Sequence, residues 1–268
     1  MRIQNWLLAL TVAICATTGS SHAATIFSDD FESGTMSNWT TTGSSPLVID
    51  NTQNIVPGGG TFSAKMDTSA DRMHHNIIAD NGGSELSGNS TFTAYIYDAS
   101  GTASRVFNEV RGYSGGTGLP NGGTTASGTL AQLIAIGKYN TVTKVGEVYN
   151  GSKYQARVTF GTGSGWFNLD GVGSPNRSTG WHKFTVERLA DETTLNFYVD
   201  DVLSRTFANA TAQSWDTVVL GPGLGTTVGD AWIDGLSVNS VENIPEPASA
   251  TLIGLACMSL CAIRRRIA

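Results

Sequence analysis

Alternating apolar and polar positions dominate the middle of the chain, from about residue 24 to residue 243. Short alternating runs are separated by Gly, Ser, Thr and Asn, and no stretch shows a convincing apolar period of about 3.6 residues. The pattern therefore predicts an all-β domain. The strands that it predicts are 25–32, 61–67, 91–98, 104–111, 130–139, 143–149, 153–160, 180–189, 193–200, 202–207 and 230–238.

The clearest predicted hairpin spans residues 180–200. Phe184 and Val186 share one face of its first strand, while Leu195, Phe197 and Val199 share one face of its second. A period of two with a single apolar face is typical of a half-buried antiparallel sheet.

Two connections also follow from turn residues. Asn150-Gly151 predicts a hairpin turn between 143–149 and 153–160, because Asn and Gly tolerate positive φ. The Gly/Ser/Thr-rich run 112–129 has little apolar content and is predicted to be a long mobile loop.

The N-terminus has the pattern of a secretory signal peptide, predicted over residues 1–23. Arg2 supplies the positive charge, residues 6–16 form a short apolar run, and Ser21-His22-Ala23 offers a small-x-small cleavage site before Ala24. The alternatives are cleavage after His22-Ala23-Ala24 and an uncleaved N-terminal membrane anchor.

The C-terminus combines three signals. Pro245-Glu246-Pro247 is followed by the uncharged, mostly apolar run 248–263 and by Arg264, Arg265 and Arg266. The run is shorter than the ~20 residues of a typical transmembrane helix. It can still cross if the bilayer thins or the arginines snorkel to the interface, and the arginines place the C-terminus inside. The alternative is an ordinary buried strand or core helix.

This tail, residues 244–268, resembles the PEP-CTERM sorting signal, with Ile244 where that family usually has Val. The resemblance implies a bacterium with a Gram-negative-type envelope. It also implies an exosortase that cuts near the Pro-Glu-Pro motif after transient membrane anchoring. The protein would pass from the inner membrane to the cell surface or the extracellular matrix.

Composition narrows the chemistry of the predicted exported region, 24–243. Cys15, Cys257 and Cys261 all lie in the terminal apolar segments, so disulfides and Cys-ligated zinc are excluded there. Without Arg2 and the three tail arginines, the 16 basic residues fall to 12 against 22 acidic ones, a formal charge of about −10. This balance argues against nucleic acid as a partner and favours divalent cations.

Three motifs carry a second resemblance: Gly180-Trp181-His182-x-Phe184-x-Val186, Asn196-Phe197-Tyr198-Val199-Asp200-Asp201, and Trp232-Ile233-Asp234-Gly235-Leu236-Ser237-Val238. They resemble the laminin-G-like and concanavalin-A-like jelly rolls. The resemblance implies two antiparallel sheets, and binding of glycans or proteins on the concave face or the rim.

The acidic residues suggest a calcium site. Asp30 and Glu32 share one strand face, and the first and last strands of such jelly rolls often lie close together, which would bring them near Asp234 or Asp230. Calcium takes hard oxygen ligands. The alternative is solvated or turn-capping carboxylates. Adjacent His74 and His75 are expected to face opposite sides of a strand and not to chelate one metal.

Glycan binding would require an exposed aromatic platform. Trp166, which follows a Gly-rich turn, is the best candidate, with core packing as the alternative. Trp39, Tyr113 and Trp215 also lie in turn-rich segments, whereas Trp181 and Trp232 are predicted at core or edge positions.

No catalytic carboxylate pair, Gly-x-Ser-x-Gly elbow or His-Glu-x-x-His motif is present in the sequence. A Ser-His-Asp triad is left open, with His74, His75 and His182 as the histidines of the exported region. We therefore expect a non-enzymatic, exported surface or biofilm-matrix protein that binds glycan or protein, with exosortase, the secretion machinery and extracellular polysaccharide as partners. The rivals are a polysaccharide-degrading hydrolase or lyase and a purely structural coat protein.

Overall fold

The computed structural model describes residues 22–54, 60–68, 70–99, 105–160, 164–224 and 230–242. One compact unit runs from Ala23 to Val241, and its regular secondary structure in those ranges is entirely β. The strands are β1 (His22–Asp29), β2 (Thr40–Thr41), β3 (Val48–Asp50), β4 (Ser63–Met66), β5 (Met73–Asn76), β6 (Ser90–Asp98), β7 (Val106–Gly118), β8 (Ser127–Lys138), β9 (Gln155–Thr159), β10 (Gly165–Asn168), β11 (Gly180–Arg188), β12 (Leu195–Val199), β13 (Val202–Phe207), β14 (Thr217–Leu220) and β15 (Ala231–Glu242).

The strands form two sheets. The first has the order β13-β12-β11-β6-β15-β4-β3, with β1 also paired to β15, and the second has the order β10-β9-β8-β7-β14-β5-β2. Non-consecutive neighbours such as β6 between β11 and β15 require crossovers between the sheets. This arrangement confirms the predicted all-β, two-sheet antiparallel jelly-roll sandwich.

The main core lies between the two sheets. Alternate residues of β6 and β11 are buried on the inner face of the first sheet, including Phe92, Ile96 and Phe184. Val110 and Ile134 face them from the second sheet. Burial of this apolar surface, at about 25 cal/mol per Å², is the main force that holds the layers together.

The predicted hairpin 180–200 is confirmed. Strands β11 and β12 pair antiparallel from Phe184 opposite Val199 to Arg188 opposite Leu195. The implied proximity of the first and last strands is also confirmed, because β1 pairs with β15 and Thr25 Oγ1 donates to Asn239 Oδ1 at 2.9 Å.

Two predictions about the second sheet are wrong. The predicted mobile loop 112–129 instead extends two paired strands, β7 to Gly118 and β8 from Ser127. Backbone hydrogen bonds between β7 and β8 stabilise this extension, so it needs no apolar side chains and has no apolar pattern in the sequence. The two strands approach so closely there that a Cβ on Gly116 would lie 2.3 Å from the backbone of Ser127. Residues 143–149 form turns and irregular structure, and β8 pairs directly with β9.

The predicted terminal helices fall on residues 1–21 and 243–268, outside the described residues. Ala23 and Ala24, the predicted cleavage residues, lie exposed at the start of β1. Within the described ranges, no helix has the length and apolar character needed to span a membrane.

Candidate functional site

A row of residues that includes two charged side chains crosses the centre of the second sheet on its outer face, the side turned away from the main core. Strand register aligns one residue from each of six adjacent strands in a single row. In strand order the row contains His74, Val219, Glu109, Ala135, Arg157 and Trp166. Arg72 and Arg111 lie two positions from His74 and Glu109, so they share this face. We call Arg72, Glu109, Arg111 and Arg157 the arginine cluster.

Glu109 organises the arginine cluster. Its Oε2 atom accepts hydrogen bonds from Arg72 Nη2 at 3.0 Å and from Arg111 Nε at 2.8 Å and Nη2 at 2.5 Å. Burial disfavours the charge of Arg111, but the carboxylate of Glu109 and the hydroxyl of Tyr113 outweigh it and raise the pKa of Arg111. One carboxylate thus serves two guanidinium groups, and positive charge is left over.

Two of the guanidinium groups in the cluster also have a hydrogen-bond donor that is unsatisfied within the described residues. The Nε atoms of Arg72 and Arg157 are buried and have no hydrogen-bond partner in the described part of the chain. An unpaired buried donor costs about 1–3 kcal/mol, so the protein bears this cost within the cluster. The side chain of Arg72 is 22% exposed, compared with 4% for Glu109, so solvent reaches the cluster mainly from the arginine side.

His74 lies in the same row and is fully buried. Its Nε2 atom is 3.0 Å from the carbonyl oxygen of Pro120, which can only accept, so Nε2 carries the proton. The Nδ1 atom is left as an acceptor with no partner among the described residues. Burial lowers the pKa of His74, and nearby Arg111 lowers it further, so the imidazole is neutral at pH 7.

Asp216 is linked to the arginine cluster through Tyr113. Its Oδ2 accepts from the backbone N–H of Tyr113 at 2.7 Å, and its Oδ1 accepts from Thr217 Oγ1 at 2.6 Å. Burial raises the pKa of Asp216 to about 6, although both hydrogen bonds act in the opposite direction. Arg111 Nη1 donates to Tyr113 Oη at 3.3 Å, so Asp216 and Arg111 hold Tyr113 from its two ends.

Trp166 is not the exposed platform that the sequence suggested. It is only 4% exposed and stacks on Tyr139, with ring centroids 4.0 Å apart and planes 6° apart. Phe107 meets it edge-on at 4.9 Å. The Gly-rich turn before Trp166 suggested exposure, but Gly165 begins β10, which brings the indole onto the sheet. Trp39 and Trp215, two other aromatic candidates, are also buried.

The sequence did not predict an aromatic row on the outer face of the first sheet, in which Tyr97 and Trp181 are part-exposed and Trp232 is 8% exposed. Tyr97 lies opposite both Trp181 and Trp232 in the strand register, with ring centroids 5.5 and 5.6 Å apart and edge-to-face geometry. Lys65 Nζ lies 5.5 Å from the centroid of Trp232. Trp181 and Trp232 were expected at core or edge positions; instead they face away from the core.

The structure does not assemble the three predicted calcium ligands. Glu32 accepts hydrogen bonds from the backbone N–H groups of Thr61 and Phe62, at 2.8 and 2.7 Å. Asp30 accepts from the backbone of Glu32 at 3.2 Å, and buried Asp234 accepts from that of Gly235 at 2.7 Å. Across the described ranges, no group of three or more His, Cys, Asp or Glu side chains is arranged to hold a metal ion. The carboxylates thus have turn-capping roles.

The expectation that the two adjacent histidines face opposite sides of a strand is confirmed. His74 contacts Pro120 on the outer face, whereas His75 stacks on Phe27 with ring centroids 3.9 Å apart. The sorting residues Pro245, Glu246, Pro247, Arg264, Arg265 and Arg266 lie outside the described residues.

The chain is similar in structure to known proteins, but its sequence matches no known family. No family model and no curated protein matches the chain. Among solved structures, the chain is similar to a cellulose induced protein, Cip1, at 14% identity and a TM-score of 0.49, covering 79% of this chain and 96% of that one. It is also similar to domain 4 of AbnA, a GH43 extracellular arabinanase from Geobacillus stearothermophilus in complex with arabinotriose. That match has 10% identity and a TM-score of 0.44, and it covers 82% and 93% of the two chains.

A sialidase matches at 9% identity and a TM-score of 0.45, over 81% of this chain. The chain spans only 18% of the length of that sialidase. At these identities and TM-scores, we assign no substrate to this chain from any of the three.

Proposed function

We propose that this protein binds an anionic polysaccharide on the outer face of its second sheet. The observation that carries the proposal is the arginine cluster, in which one carboxylate serves two guanidinium groups and the part-exposed Arg157 adds a third cation. A guanidinium presents a planar fork of donors that fits a carboxylate or sulfate group. The ligand class is therefore a glycan that carries carboxylates or sulfates.

Direct contact between the guanidinium groups and the ligand determines this binding, and the net negative charge of the protein does not. The predicted exported region is acidic, which repels an anionic polymer at long range. Screening shortens that repulsion to about 10 Å at 0.1 M ionic strength, so a guanidinium in direct contact with the ligand dominates. Tyr139, the half-buried ring stacked on Trp166, lies beside this face and offers an apolar surface to a sugar ring.

We propose the biological setting from the two ends of the sequence. The signal-peptide pattern and the resemblance to the PEP-CTERM signal support export, processing by an exosortase, and delivery to the cell surface or the matrix. A polysaccharide ligand fits that setting. Intact mass of the protein from the producing cell's membrane, surface and medium tests it. A mature form that runs from near Ala24 to near Pro247 supports processing, and a stable membrane form that keeps Arg264 contradicts it.

Binding is tested by calorimetric titration of the full-length chain with polygalacturonate, a sulfated glycan, and a neutral glucan. We expect measurable affinity for the first two and at least fivefold weaker affinity for the third. Arg72→Ala and Arg157→Ala should each weaken anionic binding at least fivefold, by analogy with charge-assisted hydrogen bonds of about 1.5–3 kcal/mol. Lys183→Ala, which removes an exposed cation from the first sheet, is the matched control.

Four results would contradict the proposal. Equal affinity for charged and neutral glycans is one, and unchanged anionic binding in both arginine variants is another. Binding of neutral glycan that is lost in Trp181→Ala would move the site to the aromatic row of the first sheet. A flat result across the panel would favour a structural coat protein.

A polysaccharide-degrading enzyme is the second candidate. Neutral His74 keeps an unpartnered Nδ1 acceptor in the same row as Glu109, and Arg111 and Tyr113 lie on the same face. A neutral imidazole can act as a general base, but His74 is fully buried, so the site would have to open before substrate could contact it. Release of new reducing ends, or of unsaturated sugars that absorb in the ultraviolet, would favour a degrading enzyme. His74→Gln should then abolish release without loss of binding.

A further inference from the structure

A second cluster of polar side chains lies where the chain enters β11 and leaves β12. Ser178 Oγ is 3.0 Å from His182 Nε2, and His182 Nδ1 is 2.8 Å from Asp200 Oδ2. The three side chains therefore form one continuous hydrogen-bonded series from hydroxyl to imidazole to carboxylate. The arginine cluster contains none of these residues, and the inference below does not rest on the proposed function.

Two paired strands fix the positions of the imidazole and the carboxylate. His182 lies in β11, between β6 and β12 in the first sheet. Asp200 begins the β12–β13 turn with a positive φ of 50°, and its Oδ1 accepts from the backbone N–H of Lys183 at 2.9 Å. One carboxylate oxygen is thus held by the backbone of β11, which aims the other at His182.

The imidazole of this series is buried and the hydroxyl is exposed, so the hydroxyl can attack a substrate from solution. His182 is 7% exposed, and its ring lies 5.1 Å from that of Tyr154. Ser178, which precedes β11, is exposed. The base is therefore held rigidly inside, while the hydroxyl that it contacts is open to solvent.

The proton positions follow from the partners. A carboxylate can only accept, so His182 Nδ1 carries a proton; in the neutral imidazole, Nε2 then accepts from Ser178 Oγ. Nε2 is also 3.0 Å from the backbone oxygen of Ser178. That oxygen can accept a hydrogen bond from Nε2 once Nε2 has gained the proton of Ser178 Oγ during attack.

From this geometry we propose that Ser178 is the nucleophile of an ester-hydrolysing site, with His182 as general base and Asp200 as the residue that positions the imidazole. Ser178 Oγ bonds to the carbonyl carbon of an ester while its proton passes to His182 Nε2. The carbon–oxygen bond to the alcohol then breaks, and the alcohol leaves with that proton. Water, deprotonated by His182, hydrolyses the acyl-serine and restores the hydroxyl.

A donor for the developing oxyanion is also at hand. The backbone N–H of Ser178 makes only a long contact, 3.4 Å, with Tyr154 Oη. The nucleophile's own backbone N–H is one of the two oxyanion donors in serine proteases of the chymotrypsin type. Because Ser178 is exposed, the substrate class is an O-acyl ester that can be carried on a larger molecule, including an acylated glycan.

The test uses the full-length chain with two probes, a fluorophosphonate that labels activated serines and p-nitrophenyl acetate. We expect a single labelled serine, Ser178, found by peptide mass spectrometry. Ser178→Ala should lose both the label and hydrolysis above background, and His182→Gln should reduce both at least about 100-fold. Ser152→Ala, which removes another exposed serine, should leave both unchanged.

The positioning role of Asp200 is tested by the labelling rate, which a purely structural role would not change. Asp200→Asn keeps the shape but lets the imidazole adopt the wrong tautomer, so the labelling rate should fall at least about 100-fold. Asp200→Glu should restore part of that rate, while the thermal midpoints of the two variants stay within a few degrees of each other. An unlabelled wild-type chain, a label on another serine, or hydrolysis that persists in Ser178→Ala would overturn the assignment.

Discussion

The guanidinium carbon of Arg188 lies 4.5 Å from the ring centroid of Trp215, and both side chains are fully buried. Arg188 donates to the backbone oxygens of Gly88, Gln213 and Leu86 at 2.9, 2.6 and 2.7 Å. Burial lowers its pKa to about 10, against the opposing effect of Glu192. A buried cation held by carbonyl oxygens and a ring thus fastens β11 to the segments before β6 and β14.

We therefore predict that Arg188→Lys destabilises the protein by about 3 kcal/mol, because an ammonium group cannot reach all three carbonyls and leaves buried acceptors unpaired. Urea unfolding at pH 7 measures this. Arg205→Lys is the control, since Arg205 is part-exposed and its ion pairs are worth at most about 1 kcal/mol. Equal losses in both variants would contradict the role assigned to Arg188.

Asp216 should make stability depend on pH. Its pKa in the folded state is about 6, above the ordinary aspartate pKa of 3.8, so the folded state binds more protons between these values. Stability contributed by this group therefore falls as pH rises from about 4 to 6. We predict that Asp216→Asn gains about 3 kcal/mol relative to the wild type between pH 4 and pH 7, at about 1.36 kcal/mol per pKa unit. Parallel pH profiles for the two proteins would show that Asp216 does not titrate in this range.

Trp166→Ala should act on stability. Because the indole is packed against Tyr139 and Phe107, we predict a loss of about 3–5 kcal/mol in the free energy of unfolding. Trp181→Ala, at a half-exposed position, should cost far less in the same urea titration. A Trp166 variant with unchanged stability and lost glycan affinity would restore the exposed-platform hypothesis.

Glu109→Gln should have opposite effects on stability and on binding. Removing the carboxylate leaves Arg72 and Arg111 without their shared counter-charge, and breaking a buried ion pair costs about 3–5 kcal/mol. The same change frees both guanidinium groups for a ligand, so affinity for polygalacturonate should rise. Asp170→Asn, which removes an exposed acid, should alter neither quantity. A fall in anionic affinity in Glu109→Gln would argue against the arginine cluster as the binding site.

Strands with one exposed face were predictable from the sequence because their alternation is visible. Strands β6, β11 and β13 lie close to the predicted bounds 91–98, 180–189 and 202–207. The short strands β5 and β14 were missed because every residue in them is buried, which removes the period of two. The continuation of β7 and β8 was missed because it has few apolar residues, so no alternation of apolar and polar positions is visible there.

The candidate site was only partly predictable. The spacing of Glu109 and Arg111 within predicted strand 104–111 already places them on one face. Arg72 and Arg157 join them only through the strand order of the second sheet, which no local pattern encodes. The same holds for Ser178, which meets His182 because of the path of the chain into β11, and for Asp200, which arrives through the pairing of β11 with β12.

The pairing of β1 with β15 brings the two ends of the Ala23–Val241 unit together, with Thr25 bonded to Asn239. The strands could therefore be connected in a different sequence order and still occupy the same places in the two sheets. A short linker between the two ends, with new termini opened at the exposed turn around Gly82, gives a circular permutant that keeps both sheets intact. Such a permutant moves the points of attachment to another part of the surface, so one β-sandwich can be tethered in two different orientations.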